Sequence, residues 1–426
     1  MDTTSNSITR PNRYDLPTVK VLLLHNRYQS PGGEDEVYSR ERQLLTDNGH
    51  EVVEYTRDNG EIREYGIYNK VSLAFRTTWA VDTCRQLRSL LAREKPDVAH
   101  FHNTFPLISP AAYYACSAMN VPVVQTLHNP RLLCPAATLF REGGICEECV
   151  GRRFALPAVR HSCYQNSRVR SAVVASMISV HDWLGTWKEK VNAYVVSTEF
   201  YRQKFAAAGL PPEKIALKPH FVDTDPGSTE QTGEYAVFVG RLAPEKGVPT
   251  LLAAWQKLRA VPLYIRGEGP LAEAASIAQS RAGSRVNLVP RMSRSALFDL
   301  IKAASFLVWP SEGYYETFGL VAIEAFACGV PVIASRLGVM QDIVHDGRTG
   351  LHFTPGDADD LARKVEWAWA HPDEMRVMGR NARVEYEAKY TAERNYKMLI
   401  GVYQQAIQEA RKPLTSHYRK ALRVGD

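Results

Sequence analysis

Short apolar runs, separated by stretches with helical periodicity, are the dominant pattern along this chain. The first run covers residues 19–24, and a Gly-containing turn at 30–33, a helical pattern over 34–48 and an apolar run at 52–55 follow. A strand, a loop, a helix and a second strand in this order predict the opening of a parallel sheet.

The same alternation continues in two successive series. Further strands are predicted at 98–101, 121–127 and 194–196, and then at 235–239, 263–265, 286–289, 306–309 and 332–334. We therefore predict an α/β fold with two Rossmann-like domains, at 18–222 and 234–390, joined by a polar linker. Ligands of such sheets bind at the carboxyl ends of the strands, so the expected site is a cleft between the domains.

The two ends of the chain differ from these domains. Residues 1–17 predict a disordered polar tail, and the amphipathic pattern from 391 to 411 predicts a helix that crosses back toward the first domain, with a tail to 426. The polar stretch 1–17 lacks the apolar core of a signal peptide, and no run of about 18 apolar residues, the length of a membrane span, occurs elsewhere. The expected location is the cytoplasm, with the inner face of the cell membrane as an alternative.

Length and charge refine this picture. A chain of 426 residues with 45% hydrophobic residues exceeds what one core usually supports, which agrees with two domains. The net charge of +6 is mild, but basic residues cluster at Arg152, Arg153, Arg160, Arg168 and Arg170. Such a cluster suits phosphate-bearing ligands or an anionic membrane surface, and solvated surface charge is the alternative.

The strongest motif is SEGYYETFGL at 311–320, directly after a predicted strand. A helix that begins near Thr317 or Phe318 would direct unpaired N–H groups at a diphosphate. Glu316 would lie near the attached sugar, and Glu324 would accept hydrogen bonds from ribose hydroxyls. The alternative, two unrelated surface glutamates, fits poorly with the apolar neighbours of Glu324. The donor-site prediction from this segment comprises Gly313, Thr317, Phe318, Gly319, Leu320 and Glu324.

A second motif, GRLAPEKG at 240–247, also lies between a predicted strand and a predicted helix. Its two cations, Arg241 and Lys246, can neutralise a diphosphate leaving group, which removes the need for a divalent metal. Alone, a basic turn is weak evidence of function. Together with the Glu316 segment, it predicts a nucleotide-diphosphate site.

The pattern Gly-Arg-Leu-x-x-Glu-Lys-Gly, followed by Glu-x7-Glu, resembles the retaining glycosyltransferases of family four, over nearly the whole chain. The resemblance implies the GT-B fold and transfer of a hexosyl group from a UDP- or GDP-type sugar. The expected acceptor is a glycan or lipid-linked acceptor of bacterial surface-polysaccharide biosynthesis, and a small soluble acceptor stays open. A front-face reaction without a dedicated base or catalytic cofactor is implied.

The resemblance also implies residue roles. Arg241 and Lys246 would bind the diphosphate, Glu324 the ribose and Glu316 the transferred sugar. The Gly32–Gly33 turn would close on the phosphates, with an ordinary hairpin loop as the alternative. His128 would face the sugar from the first domain, with a packed core histidine as the alternative. The segment with Arg291 and Met292 follows a strand and is assigned to the base, whereas His102 is either structural or on the acceptor side.

Four cysteines fall in one insert at about 130–165, and two of them form a C-x2-C pair. They are Cys134, Cys146, Cys149 and Cys163. In a reducing compartment this spacing favours a structural zinc site, with free thiols or a redox pair as alternatives. The insert begins just after His128, so we expect it to shape the acceptor side of the cleft.

The segment 168–191 alternates basic and apolar residues and predicts either a membrane-contacting amphipathic helix or ordinary packing against the first sheet. Two rival functions stay open. A nucleotide-sugar hydrolase or epimerase would need an acid–base pair, for which only His128 and Glu316 are available. A zinc-containing nucleic-acid-binding module would leave both phosphate motifs unexplained, so no nucleic-acid partner is predicted.

Overall fold

The computed structural model describes residues 16–29, 32–64, 67–229, 233–282, 285–314 and 316–411. Most of the predicted N-terminal tail, residues 30–31 of the Gly-containing turn, part of the linker and the segment after 411 therefore lie outside the described residues.

The first domain contains a six-stranded parallel sheet. Its strands are β1 (Lys20–Arg27), β2 (Glu51–Asp58), β3 (Val98–Asn103), β4 (Val123–Thr126), β7 (Ala193–Val196) and β8 (Ile215–Leu217), in the spatial order β2-β1-β3-β4-β7-β8. A short antiparallel ribbon, β5 (Phe140–Arg141) with β6 (Gly144–Ile145), lies in the cysteine-containing segment. The helices are α1 (Gly33–Asp47), α2 (Ile67–Thr78), α3 (Val81–Glu94), α4 (Ala112–Ala118), α5 (Leu156–Arg160), α6 (Arg168–Trp183), α7 (Thr186–Glu189) and α8 (Glu199–Ala207).

The second domain repeats this plan with the order β11-β10-β9-β12-β13-β14. Its strands are β9 (Ala236–Val239), β10 (Leu263–Arg266), β11 (Val286–Val289), β12 (Phe306–Trp309), β13 (Val332–Ser335) and β14 (Gly350–Phe353). The helices are α9 (Val248–Lys257), α10 (Ala272–Ala282), α11 (Arg294–Lys302), α12 (Leu320–Ala327), α13 (Val339–Ile343), α14 (Ala358–Ala370) and α15 (Pro372–Lys389), followed by α16 (Ala392–Arg411).

These two parallel sheets confirm the predicted α/β fold with two Rossmann-like domains. Helices cover both faces of each sheet, which is why central strands such as β3, β4 and β12 are buried at every position and appear in the sequence as apolar runs. Strand order reverses between β1 and β3 in one sheet and between β9 and β12 in the other. Ligands of doubly wound folds bind at such switch points.

Helix α16 leaves the second domain and packs on the first sheet. Tyr396, Leu399, Ile400 and Tyr403 are fully or almost fully buried, in one apolar cluster with residues of β1 and β4. The chain therefore passes between the domains twice.

Segment 168–191, for which the sequence leaves a membrane-contacting amphipathic helix or ordinary packing open, forms two helices. Helix α6 ends at Trp183 and α7 begins at Thr186, because Gly185 between them adopts a positive φ of 67°. Val174, Met177 and Trp187 are buried, whereas Trp183 is 84% exposed. The segment thus combines ordinary packing with an exposed apolar face. Among the described helices, none has both the length and the apolar character needed to cross a membrane.

Candidate active site

The carboxyl ends of the two sheets face one another across a cleft with a cavity volume of about 540 Å³. This lies within the usual range for small-molecule sites. Eleven of the predicted site residues line it: Gly32, Gly33, His128, Arg241, Lys246, Glu316, Thr317, Phe318, Gly319, Leu320 and Glu324. Four segments that are distant in sequence therefore share one cavity.

One wall is the segment between β12 and α12, residues 311–314 and 316–319, here called the donor loop. Its helix begins at Leu320, later than the predicted Thr317 or Phe318. The reason is Gly319, which caps α12 with φ 91° and lies so close to Trp309 that a Cβ atom would overlap the indole ring. The first N–H groups of α12 consequently face the cleft, where they can bind an anion.

The basic turn at 240–247 packs directly on this loop. Gly247 has φ 68°, and a Cβ there would overlap the carbonyl of Pro310. Lys246 forms an ion pair with Glu316, and Arg241 forms one with Glu245. Burial, followed by the positive charge of Arg241, lowers the pKa of Lys246 to about 8. Two cations and a helix N-terminus thus converge on one part of the cleft.

Glu324 lies in the second turn of α12 and is buried. Its Oε1 lies 3.2 Å from Arg294 and 3.5 Å from Arg40, which belongs to the first domain. Burial raises the pKa of Glu324, and the two guanidinium groups oppose this shift. Arg294 also pairs with Glu36 of the first domain, at 3.0 Å. Glu324, which the sequence predicts to bind the ribose, therefore belongs to a network of ion pairs that joins the two domains.

His128 follows β4 and lines the opposite wall. It is 7% exposed, its Nε2 lies 3.0 Å from Nδ1 of His102, and its ring stacks on His220 at 5.9 Å between centroids. Burial, and then the neighbouring His220, hold the pKa of His128 well below its usual range, so the imidazole is neutral at pH 7. It can therefore exchange hydrogen bonds with a ligand without carrying charge.

The first domain closes the cleft with the start of α1. No atom of the described residues lies within 4 Å of the Cβ positions of Gly32 and Gly33, so a ligand can approach this backbone closely. Glu34 beside them also lines the cleft, and its Oε1 accepts a hydrogen bond of 2.6 Å from Asn129 Nδ2. Burial raises its pKa. Glu34 is thus a further carboxylate in the cleft, besides Glu316 and Glu324, and the sequence analysis did not identify it.

Three predicted donor-site residues do not line this cavity. Gly313 packs under the ribbon of the cysteine segment, where a Cβ would lie 2.7 Å from Cδ2 of Phe140. Arg291 lines a neighbouring depression together with Arg241 and Arg266. Met292 is half-buried beside it. Gly313 therefore contacts the first domain rather than the cavity.

The four cysteines predicted to bind zinc occupy one segment, and none of them forms a disulfide. The pKa values of Cys149 and Cys163 are raised, first by burial and then by the neighbouring thiols, so the four sulfurs are close enough to influence one another. Among the described residues, however, no three of them lie within 4.8 Å of one another. A zinc tetrathiolate needs sulfurs about 3.8 Å apart. Zinc binding would therefore require the segment to contract.

Sequence reasoning missed Arg40, Arg294, Glu41 and Lys218. Glu41 and Lys218 form a fully buried ion pair of 2.6 Å within the first domain. A usable signal existed for Glu41, since it lies four residues from both Val37 and Leu45 on the buried face of α1. A charge at such a position requires a buried partner.

Known proteins resemble this chain over both domains. The family "Glycosyltransferase Family 4" matches residues 37–226, and "Glycosyl transferases group 1" matches 224–385. D-rhamnosyltransferase WbpZ of Pseudomonas aeruginosa is 27% identical over 321 residues, which cover 74% of this chain and 75% of that protein. D-inositol 3-phosphate glycosyltransferase of Mycobacterium avium is 29% identical over 283 residues, which cover 60% of this chain and 66% of that protein.

A solved structure, Anabaena Alr3699/HepE in complex with UDP, superposes with a TM-score of 0.60 at 16% identity, covering 92% of this chain and 99% of that one. At this identity the similarity concerns the fold. Together with the two matched families, which span residues 37–385 without a gap, it shows that this chain belongs to the group 1 and family 4 glycosyltransferases and is an enzyme with the GT-B fold.

Proposed function

We propose that this glycosyltransferase moves a hexosyl group from a nucleotide-diphosphate sugar to a glycan or lipid-linked acceptor, with retention of anomeric configuration. The observation that carries the proposal is the convergence of Arg241, Lys246 and the N-terminus of α12 in the cleft, opposite His128. Cations and oriented N–H groups stabilise a departing diphosphate. Anabaena Alr3699/HepE was solved with UDP and with UDP-glucose, which supports a donor of this class.

In the proposed front-face reaction, the departing phosphate oxygen accepts the proton of the acceptor hydroxyl. The protein contributes alignment of the two substrates and stabilisation of the leaving group. Arg241 and Lys246 supply positive charge, so this proposal involves no catalytic metal. Glu316, ion-paired with Lys246, would contact the transferred sugar, and Glu324 would exchange its arginine partners for ribose hydroxyls.

The deciding experiment screens a panel of nucleotide sugars with candidate acceptors and determines the anomeric configuration of the product by NMR. A product with inverted configuration would contradict retention. Release of free sugar at the same rate with and without acceptor would instead favour the hydrolase alternative.

Two substitutions test the residue roles. Arg241→Ala should lower transfer by orders of magnitude with the fold intact, because it removes charge at the leaving group. Glu324→Ala should chiefly weaken binding of the nucleotide diphosphate, measured by calorimetry. Wild-type turnover in the first variant, or wild-type affinity in the second, would refute the corresponding role.

We also propose peripheral contact with an anionic membrane that carries the acceptor. Helices α2 and α6 pack together and expose Phe75 (76%), Val169 (73%) and Trp183 (84%). Val169 lies between Arg168 and Arg170 of the basic cluster, at the start of α6, and Trp183 ends the same helix. Such a surface suits an anionic lipid interface. Trp183→Ser should reduce flotation with anionic liposomes, whereas Val384→Ser, at an apolar position of the second domain that is 59% exposed, should not. Equal flotation of both variants would contradict this proposal.

Finally, we propose that the four cysteines bind a structural zinc ion, which would draw their sulfurs together. Cys149→Ser should abolish a stoichiometric zinc content measured by elemental analysis, and Cys84→Ser, outside the segment, should leave it unchanged. Absence of zinc from the wild-type protein, with the same thermal stability in chelator, would overturn the proposal.

A further inference from the structure

A line of buried polar side chains runs from the cleft into the first domain behind His128. His128 Nε2 lies 3.0 Å from His102 Nδ1, and His102 Nε2 lies 3.7 Å from Oε2 of Glu41. The other oxygen of Glu41 accepts a hydrogen bond of 2.6 Å from Lys218 Nζ. The side chains of His102, Glu41 and Lys218 are inaccessible to solvent.

The charges in this line follow from burial. An isolated buried charge is costly, so Glu41 and Lys218 are retained as a carboxylate–ammonium pair. Burial, followed by the adjacent imidazoles and Lys218, holds the pKa of His102 well below its usual range. Both His102 and His128 are therefore neutral, and each carries a single ring proton.

A metal site is the first alternative for these residues, because ligand atoms of Glu41, His100 and His102 lie within 4.8 Å of one another. Both ring nitrogens of His100 are already hydrogen-bonded, to Tyr403 at 2.8 Å and to Thr126 at 2.7 Å. In addition, the ammonium group on Glu41 would repel a divalent ion. We therefore interpret the cluster as a network of hydrogen bonds and electrostatic contacts rather than as a metal site.

The position of each proton can be worked out along the line. Glu41 Oε2 and His102 Nε2 are both buried, neither has a hydrogen-bond partner within the described part of the chain, and they face one another. At 3.7 Å the contact is electrostatic rather than a hydrogen bond. A proton on Nε2 of His102 is attracted to the carboxylate, whereas a lone pair there would be repelled, so the charge of Glu41 favours the tautomer with the proton on Nε2 and the lone pair on Nδ1. His128 must then donate from Nε2 to that lone pair. This leaves Nδ1 of His128 unprotonated.

We propose that Glu41, held by Lys218, is a positioning residue that fixes the tautomer of His102 and thereby presents His128 Nδ1 to the cleft as an acceptor for a sugar hydroxyl. The identity of the ligand rests on the proposed function, whereas the tautomers do not. A site built to accept a hydroxyl proton discriminates strongly against an analogue that lacks the hydroxyl. The line would therefore contribute to sugar selection.

Long-range ¹H–¹⁵N correlation spectra of protein labelled with ¹⁵N-histidine test the proposal directly. We expect the Nε2-protonated tautomer at His128, whose signals are assigned by their loss in His128→Gln. The double variant Glu41→Gln/Lys218→Met leaves no unpaired buried charge. The side-chain amide of Gln can donate a hydrogen bond to Nε2 of His102, which places the His102 proton on Nδ1. The tautomer of His128 should then reverse, from protonation at Nε2 to protonation at Nδ1. A wild-type His128 protonated at Nδ1, or an unchanged tautomer in the folded variant, would overturn the proposal.

The matched control is Tyr403→Phe, which removes a buried hydroxyl from His100 but leaves the line from Glu41 to His128 intact. We expect the double variant to lose about tenfold in kcat/KM, the typical effect of one hydrogen bond, and the control to keep its tautomer and activity. An equal loss in both would indicate a purely structural effect. The wild-type spectrum remains decisive if the double variant does not fold. The predicted tautomer in a protein that transfers no sugar would refute the proposed function alone.

Discussion

At the scale of single residues, Lys246 gives the cleft a pH dependence. Its pKa of about 8 in the ligand-free protein means that the ammonium form, which attracts a diphosphate, declines as pH rises through 8. We expect the Kd for a nucleoside diphosphate to be constant below about pH 7.5 and to rise by up to about tenfold per pH unit above 8. Calorimetry from pH 7 to 9.5 measures this change.

Lys246→Arg is the control, since a guanidinium remains charged throughout this range. The rise in Kd between pH 8 and 9.5 should disappear in that variant. Persistence of the rise would assign it to another group.

Residue roles were predictable where the signal was local. Arg241, Lys246, Glu316 and Glu324 stand in short motifs next to predicted strands, and all four line the cleft. Arg40, by contrast, meets Glu324 only through the fold, from a position 284 residues away. No spacing rule detects such a partner, which is why the network around Glu324 was missed.

At the scale of elements, the start of α12 depends on Gly319. Gly319→Ala would combine a positive φ with overlap of Trp309, so we expect a loss of about 2 kcal/mol or more in stability and weaker nucleotide binding. Chemical denaturation measures the loss of stability, and calorimetry measures nucleotide binding.

Gly401→Ala is the control, because Gly401 lies inside α16 with open space around its Cβ position. It should stabilise by about 0.5–1 kcal/mol, and similar losses in both variants would contradict the role of Gly319.

The same glycine shows what limited the prediction of elements. The strand β12 was predicted at its observed bounds, because its apolar run is continuous and both faces are covered. The start of α12 was placed too early, since the overlap with Trp309 is a tertiary contact. Strands β8 and β14 were not predicted. Each is only three or four residues long and lies at the edge of its sheet, where the apolar pattern is weak.

At the scale of the whole molecule, contacts across the cleft link donor-loop geometry to the first domain. Ser197 Oγ donates to the backbone carbonyl of Thr317 at 2.8 Å, and the hydroxyl of Tyr201 donates to the backbone carbonyl of Tyr314. The backbone N–H of Phe200 donates to Asp342 at 2.6 Å. The start of α8 therefore supports the donor loop from the opposite domain. A rearrangement of either domain would change the geometry of the donor loop in the cleft.

Helix α16 provides the second link between the domains, and its buried face tests how far their stabilities are coupled. Leu399 is fully buried against the first sheet, whereas the adjacent Met398 is 36% exposed. We expect Leu399→Ala to cost about 2–5 kcal/mol and Met398→Ala less than about 1 kcal/mol. Calorimetric scans with and without a nucleoside diphosphate measure the stability of both variants.

The ligand should raise the Tm of both variants by the same amount if the domains unfold together. A second transition in Leu399→Ala that the ligand stabilises alone would show instead that the donor-binding domain remains folded without its partner.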